Sequence, residues 1–218
     1  MDATITGYPY AAQSRNPFNY VKFEQIDRDV VTPWLTLEEI TQQLNLFDDE
    51  SQDTYLSSLE LATRFAIEDY LGMSFFPVTY RVWYGAEGNV DSPTSLDLPA
   101  VSQNQQPSKS GVSVTSVGYW SGTTFTTLAS TSYSYDPSGN KVLVNGLPTS
   151  IDSSMTAPVV VEYKTAPNPL QTYPVIKQAA LLLLTHLYNN RSNTTDLALR
   201  EIPYGVSTLL RSYKPLVM

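Results

Sequence analysis

The sequence predicts an α+β protein with a small helical core of about four helices formed by two stretches of the chain, an inserted antiparallel β sandwich or barrel module, and an extended N-terminal arm. Apolar residues with helical spacing in two separate stretches predict the core. Short alternating runs between turn residues predict the module. The expected divisions are an arm over 1–35, core segments over 36–76 and 169–213, a β module over 77–168 and a tail over 214–218.

The N-terminal arm is rich in Tyr, Asn and Pro and sustains neither the helical nor the strand period. Its large aromatic side chains need an apolar surface to cover, either on their own domain or on a neighbour. We predict an extended arm that can include a short strand or turn and that packs on a neighbouring subunit. The candidate inter-subunit residues are Tyr8, Tyr10, Phe18, Tyr20, Phe23 and Trp34.

A first helix is predicted over residues 36–47, "TLEEITQQLNLF". Thr36 and Glu39 have the spacing of a capping box, in which each side chain bonds the other residue's backbone N–H. Four residues at helical spacing predict a single apolar stripe, and they are Leu37, Ile40, Leu44 and Phe47.

A second helix is predicted after the acidic segment "DDESQD", with Ser51 or Asp53 as its cap and Gly72 just beyond its end near Leu71. Its expected apolar face contains Leu56, Leu59, Thr63, Ala66 and Tyr70. Charged residues recur every four positions at Glu60, Arg64 and Glu68, which predicts a row of ion pairs on the solvent side.

Between residues 75 and 165 the helical period stops and seven short alternating runs appear, namely "VTYRVWYG", "SLDLP", "VSVTSVGYW", "TTFTTL", "YSYD", "KVLVNG" and "PVVVEYK". Turn residues such as those in "DPSGN" and "NG" separate them. This pattern is typical of an antiparallel sandwich or small barrel. The segment "NQQPSKSG" is expected to be a mobile loop.

Helical periodicity returns in the last fifth of the chain. Thr172 is the expected cap of a helix over 174–190, and Pro174 suits its first turn. This helix is apolar on nearly every side, which predicts a central, buried position. A final helix from Pro203 to about Ser212 is expected to dock on it through Val206, Leu209 and Leu210, which leaves the apolar tail from Tyr213 to Met218 projecting.

Composition excludes several classes of function. The chain has no cysteine, so it has no disulfide, thiolate metal site or cysteine nucleophile. Its first residues lack the basic and apolar regions of a signal peptide, and its longest apolar run is too short for a membrane span. We therefore expect a soluble protein made in the cytoplasm, without membrane contact.

The net charge of −8 is unevenly distributed. Acidic residues dominate residues 24–69, whereas basic residues prevail over 174–218. One copy's acidic end could face another copy's basic end, although solvated helix faces are the simpler interpretation. Tight nucleic-acid binding is not expected, because phosphate contacts need clustered Lys and Arg.

Signals for catalysis are weak. The single histidine, His186, has no partner at metal-ligand spacing, and no G-x-S-x-G sequence is present. The acidic segment at 48–53 lacks the pattern of a calcium loop, and a favourable helix start explains it. We expect no catalytic, cofactor-binding or metal-binding residues and no enzymatic activity.

The β module carries aromatic residues that could stack on sugar rings, namely Trp83, Tyr84, Tyr119 and Trp120. The competing interpretation is that these side chains form core and cross-strand pairs, and it is the one we favour.

Three segments together resemble the head-to-tail connector, or adaptor, proteins of tailed bacteriophages, in particular the longer members with a β insertion. They are the helical pair from "LTLEEITQQL" to "EDYLGMSF", the later helix "YPVIKQAALLLLTHLYNNR", and "IPYGVSTLLRSYKPL". The resemblance covers about 85 residues of helical core. The arm before residue 36 departs from the family pattern, as does Leu187, where the family often has a larger aromatic residue.

The resemblance implies a structural virion protein of the neck, between capsid and tail. It implies a ring, expected to contain twelve copies, beneath the portal protein, with a neck, tail-completion or tail protein on the other face and DNA passing through the lumen without tight binding. In this family the C-terminal segment is thought to reach the portal, so the portal-contact candidates are Tyr213, Lys214, Pro215, Leu216, Val217 and Met218.

Two other functions stay open at this point. The first is a binding module associated with a phage tail or fibre, whose β insertion recognises glycan. The second is a hydrolase that uses two carboxylates, although nothing in the sequence singles out a pair.

Overall fold

The computed structural model describes residues 20–47, 50–85, 94–99, 111–191 and 204–214. Within these ranges the protein is α+β, as predicted. The helices are α1 (Leu37–Leu44), α2 (Asp53–Leu71), α3 (Pro174–Asn189) and α4 (Tyr204–Leu210). The strands are β1 (Tyr20–Arg28), β2 (Val78–Tyr84), β3 (Thr94–Asp97), β4 (Val112–Ser121), β5 (Thr124–Thr127), β6 (Tyr133–Asp136), β7 (Lys141–Val144) and β8 (Val159–Thr165).

The chain divides into two compact units. The sheet unit contains described residues from 20–25, 80–99 and 114–163. The helical unit contains described residues from 26–79, 111–113 and 164–214.

All seven runs predicted as strands in the inserted module form strands. One sheet has the order β1-β2-β8-β4-β5, and the other has the order β3-β7-β6. The pairs β4–β5, β3–β7 and β6–β7 are antiparallel. Val82, Leu96, Val142 and Val161 are fully buried, and alternate residues of β2 and β7 point into the core. The expected loop at 104–111 lies outside the described residues except for Gly111.

The helical unit has one core to which both predicted stretches contribute. Its fully buried residues include Leu56 and Ile67 of α2 and Ala180 and Leu184 of α3. The capping box at the start of α1 is present, with the Glu39 N–H donating to the Thr36 hydroxyl at 3.1 Å and the Thr36 N–H donating to Glu39 Oε2 at 2.9 Å. Helix α2 ends at Gly72, whose φ of 67° favours glycine.

Three details of the helix ends differ from the predictions. Helix α1 stops at Leu44 because Asn45 adopts the left-handed conformation, so Phe47 leaves the predicted stripe and is 67% exposed. The residue before α2 is Gln52, which makes no side-chain cap, so neither Ser51 nor Asp53 is the cap. Tyr173 precedes α3, while the Thr172 hydroxyl donates to the Pro169 carbonyl instead of capping.

Helix α3 is less buried than predicted. Ile176, Ala179 and Leu183 face the core, but Val175 and Leu182 are each 39% exposed. The apolar residues around α3 therefore include a surface stripe as well as a core face.

The last helix docks as predicted. Helix α4 packs against α3 with Val206 and Leu210 fully buried and Leu209 partly buried. Tyr213 does not project, because its half-buried ring lies edge-on to Tyr173 at 5.9 Å. The tail that could project therefore begins after Tyr213.

Candidate functional site

The predicted inter-subunit residues fall into three groups. Tyr8, Tyr10 and Phe18 lie outside the described residues. Trp34 is only 6% exposed; its indole N–H donates to the Gln171 carbonyl at 2.8 Å, and its ring lies 4.5 Å from that of Phe75. Trp34 thus has almost no surface to offer another subunit.

The other two residues, Tyr20 and Phe23, lie on β1, an edge strand of its sheet. Tyr20 is half-buried, whereas Phe23 is exposed together with Val21 and Ile26. The Tyr20 and Phe23 rings meet edge-on at 5.7 Å. An edge strand with exposed apolar side chains is a site at which another chain can add.

Of the portal-contact candidates, Tyr213 and Lys214 are described, while Pro215, Leu216, Val217 and Met218 lie outside the described residues. The Lys214 ammonium group lies 5.0 Å from the centre of the Tyr70 ring. A cation–π contact at an exposed site of this kind contributes about 0.5–1 kcal/mol.

The five-stranded sheet carries a groove of about 390 Å³, which we call the aromatic groove. Its lining comes from four strands and consists of Arg81, Trp83, Trp120, Phe125, Val160 and Glu162. The Trp120 and Phe125 residues are cross-strand partners, and their ring centroids are 5.4 Å apart. Phe125 is 43% exposed, so this apolar surface is open to solvent.

Gly118 allows Phe125 to lie in this position. A Cβ atom at residue 118 would overlap the Phe125 ring and lie 3.0 Å from the Thr126 carbonyl oxygen. Only glycine therefore permits the ring to rest directly on the backbone of β4. The shape of the groove depends on this contact.

Charged side chains border the aromatic groove in pairs. Arg81 donates to Glu162 Oε1 through Nε at 2.7 Å and Nη2 at 2.6 Å, and its Nη1 lies 3.7 Å from Glu24. The Lys22 ammonium group lies 3.1 Å from Glu24 and 4.4 Å from the centre of the Trp83 ring. Two positive and two negative groups balance, so this border favours an uncharged or mixed-charge partner.

The four aromatic residues considered for sugar stacking do not form one platform. Trp83 and Trp120 line the aromatic groove, whereas Tyr84 and Tyr119 are buried. The Tyr84 hydroxyl donates to the Asp97 carbonyl at 2.6 Å, and burial raises the pKa of Tyr84 far above its usual range. Tyr84 and Tyr119 are therefore core residues, as the competing interpretation held.

In the helical unit, three charged residues of α2 are buried rather than solvent-facing, and this contradicts the sequence prediction. They are Glu60, Arg64 and Glu68, and Arg64 is only 1% exposed. We call them the anchor residues, because they hold residues 28–35 against α2. Spacing of four residues places side chains on one helix face but does not indicate whether that face meets water.

Each anchor residue forms a hydrogen bond or an ion pair with residues 28–35, which precede α1, or with the turn that follows α2. Arg64 donates to the carbonyls of Asp29 and Thr32, the latter at 2.8 Å. Glu60 Oε1 accepts the N–H groups of Trp34 and Leu35 at 3.0 and 3.3 Å. Glu68 forms an ion pair with Arg28 and also accepts the N–H of Phe75 at 2.6 Å.

The segment that the anchor residues hold is apolar and exposed. Val31 is 87% exposed and Val30 is 54% exposed, and both line a groove of about 660 Å³ bounded by α1 and α2. Asp29 stiffens the turn by accepting the N–H groups of Val31 and Thr32 at 3.0 and 2.8 Å. Hydrogen bonds from Thr32 are the main cause of the lowered pKa of Asp29.

Within the described residues, no group of three or more His, Asp or Glu side chains is placed to hold a metal ion. The half-buried His186 ring lies 3.4 Å from the Asn190 side-chain amide, on the last turn of α3. No described helix is long and apolar enough to cross a membrane.

Comparison with known proteins identifies the fold. No protein-family model matches the sequence, and no curated protein matches it. Among solved structures, the chain is similar to a chain in the neck of an empty gene transfer agent particle computed with C6 symmetry, at 18% identity and a TM-score of 0.61. It is also similar to chains in the virion of a native gene transfer agent particle and in its neck computed with C12 symmetry, both at 16% identity, with TM-scores of 0.56 and 0.54.

In each case the match covers 91% of this chain and 97% of the other. The likeness therefore extends over the sheet and helical parts alike, and the chain has the fold of these particle components.

Proposed function

We propose that this protein is a structural component of the neck of a phage-like particle, where it acts as a head-to-tail adaptor. It forms a ring, of twelve copies, beneath the portal protein and binds the next neck or tail protein on the opposite face. The observation that carries the proposal is the shared fold over 91% of the chain with components of gene transfer agent particles, two of them in necks.

The surface of the chain supports an assembly role. Among the described residues, apolar side chains are exposed on β1, around Val31 and on α3. Monomeric proteins usually expose only single, scattered apolar residues. In a cyclic ring each copy binds its two neighbours through two different surface patches, so each copy needs at least two such patches. A net charge of −8 suits a channel through which DNA slides without being held.

Two sets of residues make the contacts in this proposal. The arm residues Tyr8, Tyr10, Phe18, Tyr20 and Phe23 contact a neighbouring copy. The tail residues Lys214 to Met218 contact the portal protein. Trp34 and Tyr213 are left out of these sets, because both rings pack within their own chain.

Native mass spectrometry of the full-length chain, alone and with the portal protein of the same particle, tests this proposal. A closed ring in either sample, with the mass of twelve copies when bound to the portal, is the expected result. Gold labelling of an epitope-tagged chain in whole particles should place it between capsid and tail. A chain that stays monomeric in both samples and is not found at the neck would exclude the adaptor role.

A further inference from the structure

We infer that the aromatic groove receives the Tyr8-Pro9-Tyr10 segment of the N-terminal arm of a neighbouring copy. This inference rests on the proposed ring and identifies the surface that holds its subunits together. It assigns a role to Trp83, Trp120 and Phe125, which the core of the sheet unit does not use.

The chemistry of the groove fits such a segment. Aromatic-lined grooves bind proline-containing extended peptides, because the peptide loses little conformational freedom on binding. Pro9 has a fixed φ, and Tyr8 is biased towards extended backbone because it precedes a proline. The tyrosine rings can pack on Trp83 and Trp120 while their hydroxyls reach the charged border at Glu162 and Arg81.

The balance of charge at the groove also favours the uncharged Tyr8-Pro9-Tyr10 segment as its occupant. The segment from residue 3 to residue 14 contains no charged residue, and the four border residues Lys22, Glu24, Arg81 and Glu162 sum to zero. An anionic ligand such as nucleic acid gains nothing from such a border. An uncharged aromatic peptide has apolar surface to bury and no charge to leave unpaired.

The length of the arm lets it reach another copy. Tyr20 begins β1, and Lys22 on this strand already lies over Trp83 at the wall of the groove. Tyr10 and Tyr20 are ten positions apart, and an extended chain of that length spans about 35 Å. That is close to the width of a small domain, about 30 Å. An arm of this length can extend beyond its own domain, which contact with a neighbouring copy requires.

Engineered disulfides test the inference, because the natural chain has no cysteine. Full-length Tyr10→Cys and Phe125→Cys chains are mixed, oxidised and analysed by mass spectrometry. We expect a disulfide-linked heterodimer, formed several times more efficiently than when Phe125→Cys is replaced by the control Met155→Cys. Met155 is exposed in the same unit but does not line the groove.

Trp120→Ala in the Phe125→Cys chain provides a second arm of the test. Loss of the indole ring removes apolar surface on which the arm packs, so crosslinking to Tyr10→Cys should fall. Leu143→Ala is the control, since Leu143 is exposed in the same unit but does not line the groove. Equal crosslinking with Met155→Cys, or no effect of Trp120→Ala, overturns the inference.

Two other results also overturn it. A chain carrying both Tyr10→Cys and Phe125→Cys that closes an internal disulfide in preference to dimers would place the arm in its own groove. Saturable quenching of Trp83 and Trp120 fluorescence by cellohexaose or chitohexaose, without the Tyr10–Phe125 crosslink, would assign the groove to a saccharide. Ring formation by the wild type is measured separately. A ring that forms without this crosslink would refute arm binding in the groove and would not contradict the adaptor role.

Discussion

Arg64 sets the path of the chain between β1 and α1. Its guanidinium group donates from the middle of α2 to the Asp29 and Thr32 carbonyls, and it lies near the rings of Phe65 and Phe76. Its Nε is buried and has no hydrogen-bond partner among the described residues. The two carbonyls that Arg64 binds flank Val30 and Val31, so Arg64 holds both ends of this short segment.

Replacing Arg64 with methionine should destabilise the protein by about 3 kcal/mol, because two partly buried carbonyls lose their donor and Glu60 loses the nearby positive charge. Urea unfolding measures the loss. Arg191→Met is the control, since Arg191 is exposed between the rings of Tyr55 and Tyr188 and should contribute about 0.5–1 kcal/mol. Equal effects of the two substitutions would show that Arg64 is not a structural anchor.

Glu60 predicts a pH dependence of stability. Burial raises the pKa of Glu60 above its usual 4.5, against the lowering effect of the Trp34 and Leu35 N–H groups and of Arg64. Just above pH 4.5 the folded state therefore binds a proton that the unfolded state has released, so this contribution to stability falls as pH rises through the folded pKa.

Glu60→Gln removes that dependence while keeping an oxygen that can accept the same N–H groups. The wild type should gain stability relative to Glu60→Gln as the pH is lowered from 7 towards 4.5. Urea titrations of the two proteins at each pH give the difference in their free energies of unfolding. The other carboxyl groups contribute equally to both proteins and cancel in this difference. A difference that stays constant, or changes in the opposite direction, would contradict the raised pKa.

At the scale of elements, local sequence patterns predict secondary structure well where turns and capping hydrogen bonds between nearby residues determine it. The seven strands are predictable because side-chain alternation and the turn residues between the runs coincide, and the α1 capping box follows from Thr36 and Glu39 alone. Phe47 was misplaced because the left-handed Asn45 ends α1 one turn early. The burial of Arg64 could not be predicted, since it depends on a segment more than thirty residues away. For the same reason no local signal brings Trp83, Trp120 and Phe125 into one groove.

The two ends proposed for the inserted module lie close together within the helical unit. The Asn168 N–H donates to the Phe75 carbonyl at 2.8 Å, and the Val78 N–H donates to the Thr165 hydroxyl at 3.0 Å. Neighbouring ends are what a domain insertion requires. The boundaries at 77 and 168 remain a proposal.

Replacing residues 78–165 with a short Gly/Ser linker should therefore leave a soluble helical protein. The circular dichroism spectrum should keep the signal of α1 to α4, and thermal unfolding should stay cooperative. A linker of the same composition inserted into the intact chain between Gly122 and Thr123 serves as the control for linker effects. Loss of the helical signal on excision alone would mean that the core depends on the module.

At the scale of the whole molecule, the described residues nearest the two chain ends lie in different units. Lys22 of β1 lies over Trp83 beside the aromatic groove, whereas Tyr213 and Lys214 contact Tyr173 and Tyr70 in the helical unit. In the proposed function, the N-terminal arm contacts a neighbouring copy and the C-terminal tail contacts the portal protein. If so, each terminus should be removable without loss of the other contact.

Deleting residues 215–218 should weaken portal binding while leaving the thermal midpoint nearly unchanged. The deleted segment is the apolar sequence "PLVM", whereas the edge-on pair Tyr213–Tyr173 and the Lys214–Tyr70 contact stay in place. Tyr213→Ala is the complementary variant, because loss of an aromatic pair costs about 0.5–1.5 kcal/mol and should lower the midpoint without affecting portal binding. Biolayer interferometry with immobilised portal protein and differential scanning calorimetry measure the two quantities. If the deletion lowers the midpoint and spares portal binding, the tail belongs to the protein's own core, and the portal must bind another surface.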